Sequence, residues 1–273
     1  MEILSAISKC EPVLIGNESK PFKIMAEDNN FYFCKTIHRT YKANKIFTDL
    51  LCNLFMKVLH YNTPDMKLIN ISRSHLQNTF YYNEFLANST LFIGSKQVQN
   101  SSELLFAETL QLSKKKYLNY NVRDIVEITY FDFIFYNIDR HTDNFNLLKD
   151  TNRFYAIDNA QCFNNGDGIY DINSDYLSMN CYITSSIEIS QILRYCPNLL
   201  EIFEIVKKEF YEKKELLLFE YQRAKDLFVA NFGHEEILGW YDNRIESQFL
   251  SDDWIKLNNS IIENEFKRLN NRK

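Results

Sequence analysis

The sequence predicts an α+β protein, with a small antiparallel β-rich part over residues 1–100 and a larger helical part over residues 101–273. Three observations carry this expectation. Short β-favouring runs separated by turn residues fill residues 12–37 and return between 67 and 99. Apolar residues recur with a period near 3.6 over residues 44–60 and through most of the chain beyond about residue 185. Between these regions lies a single polar loop followed by a short hairpin, residues 137–160.

The elements follow in order. Pro12 to Ile15 reads as a strand leading into the polar turn Gly16 to Lys20. Pro21 to Met25 and Asn30 to Ile37 read as strands flanking the turn Glu27 to Asn30. In the helix 44–60, Ile46, Phe47, Leu50, Leu51, Leu54, Phe55, Val58 and Leu59 form one wide apolar stripe, and Pro64 follows its end. Lys67 to Ile71, Thr79 to Tyr82 and residues 89–99 read as strands. From about residue 102 the pattern turns helical, and Val122 to Tyr136 is apolar nearly all round, as in a buried helix. Phe145 to Leu148 and Arg153 to Asp158 then form a hairpin across the turn Lys149 to Asn152. A long amphipathic helix is expected near 199–230.

Composition excludes several functions. Only 6 glycines occur in 273 residues, and neither G-x-G-x-x-G nor G-x-x-x-x-G-K-[ST] is present. A Rossmann or P-loop grip on phosphate is thereby closed. The net charge of -5 leaves no electrostatic footprint for nucleic acid, and the run Lys114 to Lys116 reads as a solvated surface. No apolar run is long enough to span a membrane, and the N-terminus has no signal-peptide pattern, so a cytoplasmic protein is expected. The six cysteines lack C-x-x-C pairs and read as reduced thiols.

The densest polar cluster is Asn137, Asp139, Arg140, His141, Asp143 and Asn144, directly after the buried helix. Asp158 closes the following hairpin. Phosphoryl transfer needs a carboxylate to orient the attacking hydroxyl, hard oxygen ligands for Mg²⁺, and a lysine on the α/β-phosphates held by an acidic partner. Asp139 and Asn144 stand five apart, the offset used for base and metal-binding Asn in kinase catalytic loops. Asp158 sits where the second metal ligand belongs, Lys35 ends a front strand, and Asp49 lies on the next helix. A metal-hydrolase reading of Asp139, His141 and Asp143 lacks further ligands, because His38, His60, His75 and His234 are scattered.

On the residues Asn137-x-Asp139-Arg140-His141-x-x-Asn144, Ile157-Asp158 and the strand before Lys35, the chain resembles the HipA-like kinases. Phe92 to Lys96 and Leu250 to Trp254 look like further landmarks, so the likeness runs over roughly residues 12–256. It implies a bilobal protein-kinase-like fold with a nucleotide-binding N-lobe (1–100), and a C-lobe (101–273) carrying a catalytic loop at 137–144 and a metal-binding hairpin at 145–160. It further implies Asp139 as the catalytic carboxylate with His141 beside it, and Asn144 and Asp158 as Mg²⁺ ligands. Lys35 would meet the ATP phosphates with Asp49 as its partner, Ser19 would sit in a short phosphate-facing loop, and Gly94 behind the adenine. The acceptor implied is a protein Ser/Thr or the chain itself, in a toxin–antitoxin or stress circuit. Two departures stand out: Asp49 replaces a Glu, and Asn159-Ala160 stands where the family tends to have a Gly after the metal-binding Asp. They leave open a catalytically weak, nucleotide-binding interaction module, and a kinase for a small-molecule or lipid hydroxyl is also open.

Overall fold

A computed structural model describes residues 1–13, 19–103, 120–137, 139–140, 144, 146–163 and 187–271. Its first part contains β1 (Ile3–Ser5), β2 (Glu11–Pro12), β3 (Phe22–Met25) and β4 (Phe31–Lys35), followed by α1 (Ala43–Leu59). Next come β5 (Met66–Ser72), the one-turn helix α2 (Tyr81–Glu84) and β6 (Ser89–Lys96). These six strands form one sheet in the order β1-β5-β6-β4-β3-β2. The β3–β4 turn closes as expected, because Asp28 Oδ1 accepts from the Asn30 amide at 3.1 Å and Asn29 takes the left-handed φ of 60° that Asn tolerates.

The second part opens with β7 (Ser102–Glu103), α3 (Val122–Ile134), β8 (Leu147–Asp150) and β9 (Arg153–Ala156), and β7-β8-β9 form a three-stranded antiparallel sheet. It continues through α4 (Ile187–Tyr195), α5 (Leu199–Phe232), a 3₁₀ turn at Glu235–Ile237, α6 (Leu238–Asp242), a π-helical turn at Ile245–Phe249 and α7 (Asp252–Asn270). The chain is therefore α+β, with a β-rich front and a helical remainder.

Four sequence expectations need correction. The front sheet is not wholly antiparallel, because β1 pairs parallel with β5 at one edge. Three residues are too short to display alternation, so β1 left no signal. Residues 79–82 do not extend as a strand. The Phe85 amide closes a helical turn on the Tyr81 carbonyl at 3.0 Å, and the Tyr81 ring is buried edge-on against Phe22 and Phe92. Residues 102–103 pair with β8 instead of starting a helix. Asp158 lies two residues beyond the end of β9, in a left-handed conformation.

Alternation buries one face along β1, β3 and β4, while the central strands β5 and β6 bury residues on both faces. Ile69, Ile71 and Phe92 face one core with Leu4, Phe22 and Tyr81. Leu68 and Ile93 face another, shared with α1, α3, α5 and α7. Helix α1 joins the parts: Phe47 packs edge-on against Phe228 of α5 and Tyr241 of α6, with ring centroids 5.2 and 4.7 Å apart. Among the described residues, no helix is long and apolar enough to cross a membrane. Cys10, Cys34, Cys52, Cys162 and Cys196 are free thiols, and Cys181 lies outside the described residues.

Candidate active site

The buried polar groups gather where α1, the end of β4, the end of α3 and the segment after β9 meet. Lys35 is the last residue of β4, and its Nζ donates to Asp49 Oδ2 at 3.3 Å and to Asp158 Oδ1 at 2.8 Å. Asp49 therefore reaches Lys35 despite being one methylene shorter than Glu. Its Oδ1 accepts from the Asn159 amide at 3.1 Å, which ties α1 to the chain just after Asp158. Burial alone would lower the Lys35 ammonium, but the Asp158 and Asp49 carboxylates outweigh it and hold its pKa well above the usual lysine value. Burial pushes the Asp49 carboxyl upward; the Asp158 charge adds to this and Lys35 opposes it.

The second departure from the family pattern also resolves in the geometry. The left-handed residue is Asp158 itself, at φ 51°, and Ala160 is buried without a positive φ. Asp tolerates that region better than most side chains. The segment leading to it is fixed from below. The Ala156 amide donates to the Asn62 carbonyl at 3.0 Å, and Thr63 Oγ1 donates to the Ala156 carbonyl at 3.1 Å.

The polar loop is built on α3. Asn121 caps that helix by accepting from the Arg123 amide, and Asp124 binds Arg153 and the Phe154 amide, docking the β8–β9 hairpin on the first turn. At the other end, Tyr136 turns left-handed and the Asn137 amide returns to the Asp132 carbonyl at 2.8 Å. Asp132 then accepts from Asn137 Nδ2 at 2.9 Å and from Arg140 Nε at 2.8 Å. Arg140 is 1% exposed, and its remaining nitrogens reach the Asn146 carbonyl, the Ile157 carbonyl and, at 2.7 Å, Asn159 Oδ1. One buried guanidinium thus joins the helix end, the polar loop and the segment carrying Asp158. Burial pushes the Asp132 carboxyl upward, against the opposing pull of Arg140 and Asn137.

On this base sit Asp139 and Asn144. The Asp139 amide donates to Asn137 Oδ1 at 3.3 Å, and Asn144 Nδ2 donates to the Asp139 carbonyl at 3.2 Å. With the amide nitrogen so engaged, Oδ1 is the Asn144 atom that would be offered to a cation. Asp158, with a side chain 38% exposed, offers the second hard oxygen donor, so the residues present suit a magnesium-like ion. The Ile157 amide donates to the Asn146 carbonyl at 3.0 Å, and through that bond the Asp139–Asn144 loop and the Lys35–Asp49–Asp158 cluster form one structure.

Other expected residues fall elsewhere. His141 and the turn residues 14–18 lie outside the described residues. Ser19 is buried, and its carbonyl accepts from Tyr81 hydroxyl at 2.6 Å, which anchors the end of that turn to the aromatic core. Gly94 lies inside β6 opposite Cys34, on the sheet face away from Lys35. A Cβ there would stand 2.7 Å from Ile69 Cγ1, so close packing accounts for this glycine without any nucleotide. Sequence reasoning missed Asp132, Asn146 and Asn159. Of these, Asp132 alone left a trace in the sequence: with Asp124 and Glu127 it interrupts a helix otherwise apolar all round, and all three are buried and paired.

A family model described as HipA-like kinase matches residues 12–179, more than half of the chain. No curated protein matches. Among solved structures, a Helicobacter pylori proinflammatory kinase, CtkA, aligns with TM-score 0.42 and 13% identity over 97% of this chain and 96% of that one. A Golgi casein kinase with Mn/ADP bound aligns with TM-score 0.42 and 12% identity over 97% of this chain and 73% of the other.

Proposed function

This chain belongs to the HipA-like kinase family, and we propose that it transfers the γ-phosphoryl group of ATP, with Mg²⁺, to a hydroxyl of a protein Ser/Thr or of the chain itself. The single observation that carries the chemistry is the Lys35–Asp49–Asp158 cluster joined through Asn146 to the Asp139–Asn144 loop. A lysine held between two carboxylates, an Asn beside them and a positioned Asp are the parts that phosphoryl transfer uses.

Lys35 neutralises charge on the α/β-phosphates, while Asp49 keeps its ammonium in place from the α1 side. Asp158 and Asn144 would hold Mg²⁺ through their side-chain oxygens, Asp158 giving up its contact with Lys35. Mg²⁺, when bound, offsets the negative charge of the β/γ-phosphates. Asp139 accepts the proton of the attacking hydroxyl, or orients that hydroxyl, and the rigid Arg140 base holds it for in-line attack. Positioning and charge neutralisation supply most of the rate, as expected for a loose phosphoryl-transfer transition state.

The test is radiolabel transfer from γ-labelled ATP with Mg²⁺ to the protein itself and to dephosphorylated casein, using Asp139→Ala as control. The wild type should label, and the variant should fall by roughly a hundredfold or more. Equal silence of both proteins, with ATP–Mg²⁺ still raising the melting temperature, would leave a nucleotide-binding module and remove the enzyme reading.

A further inference from the structure

The residue that holds the reacting carboxylate lies outside the motif. Asn146 is 6% exposed, and its Nδ2 donates to Asp139 Oδ2 at 3.0 Å. Its backbone takes a left-handed φ of 46°, a conformation that glycine adopts without cost and Asn tolerates. Backbone geometry alone would therefore be met by glycine. The chain instead places a buried amide side chain there and aims its donor at the carboxylate.

The donor is also fixed. The Asn146 carbonyl accepts from both Arg140 Nη1 and the Ile157 amide, so the residue's backbone is clamped between the buried guanidinium and the strand leading to Asp158. A clamped donor on one carboxylate oxygen sets the plane of the other. We propose that Asn146 is a positioning residue: its side-chain amide fixes the rotation of Asp139 so that Oδ1 is aimed at the acceptor hydroxyl. This rests on the reading that Asp139 serves phosphoryl transfer. It adds that the loop has a third functional position, seven residues after that Asp.

Two variants separate this role from a structural one. Asn146→Gly keeps the left-handed backbone and removes the side chain. Asn146→Asp keeps the shape but sets a second carboxyl against Asp139, so the two share a proton and Asp139 loses its free carboxylate. Each is compared with wild type and Asp139→Ala for ADP release with casein as acceptor, and for the melting-temperature shift produced by ATP–Mg²⁺. Both Asn146 variants should lose kcat by roughly tenfold, a misaimed group being costly even when present. The KM for ATP and the thermal shift should stay within twofold of wild type. Full kcat in either variant, beside an inactive Asp139→Ala, would overturn the proposal and leave the kinase reading intact. Loss of the ATP–Mg²⁺ shift would also overturn it, by placing Asn146's effect on nucleotide rather than on Asp139. An Asp139→Ala protein as active as wild type would remove the reading beneath it.

Discussion

Replacing Arg140 with methionine tests the framework under the site. Methionine fills much of the same space, so the loss is chiefly electrostatic. Without the guanidinium, the Asp132 carboxylate stays 9% exposed with Asn137 Nδ2 at 2.9 Å as its partner. Removing one member of a buried ion pair costs about 3–5 kcal/mol. Asn159 Oδ1 and the Asn146 carbonyl also lose a donor, adding about 1 kcal/mol. The sum is about 4–6 kcal/mol. An unfolding entropy of about 2 cal/mol/K per residue, over 273 residues, turns this into a fall of roughly 7–11 °C in melting temperature. Thermal and urea denaturation of Arg140→Met, Asp132→Asn and the double variant measure it. The two single losses should exceed the double loss by more than about 1 kcal/mol, because the double variant leaves no unpaired buried charge. A shift under about 2 °C, or strictly additive losses, would refute the argument that Arg140 holds the loop together.

Other outcomes follow from the same structure. Burial pushes the Glu127 carboxyl up to about 7, against its bond with Arg123, so the folded chain holds that proton more tightly than the unfolded one. The resulting stability is complete below about pH 4.5 and is lost as pH rises through 7. Glu127→Gln should therefore gain on wild type by about 2 kcal/mol between pH 5 and pH 8 in urea titrations, and a gap independent of pH would contradict the shift. Gly94→Ala should cost about 1–3 kcal/mol of stability through the contact with Ile69, with the KM for ATP unchanged. A raised KM at unchanged stability would return Gly94 to the nucleotide.

The cluster of Lys35, Asp49 and Asp158 was legible because the chemistry proposed for it depends on residue type and spacing. The five-residue offset from Asp139 to Asn144, with Asp158 after a hairpin, survives any detail of packing. Lys35 and Asp49 were legible because a strand end followed by an amphipathic helix leaves few places for a buried lysine's partner. The framework was harder to read. Asp132, Asn146 and Asn159 act through contacts between segments, and each resembles a loop or helix-face polar residue in one dimension. Short elements failed for a related reason. β1 and β7 have three and two residues, which no periodicity can reveal, and Tyr81 to Glu84 coil because aromatic packing outweighs β propensity. The worry over Ala160 came from assigning the left-handed turn to the wrong residue. The backbone makes that turn at Asp158.

The central claim is that Lys35, Asp139, Asn144 and Asp158 form one phosphoryl-transfer centre. A crystal structure with a non-hydrolysable ATP analogue and Mg²⁺ tests it most directly. Lys35 Nζ should lie on the α/β-phosphates, Asp158 and Asn144 Oδ1 on the metal, and Asp139 should face the γ-phosphate with Asn146 still on its Oδ2. Nucleotide bound away from this cluster, with the 2.8 Å Lys35–Asp158 contact unbroken, would contradict it.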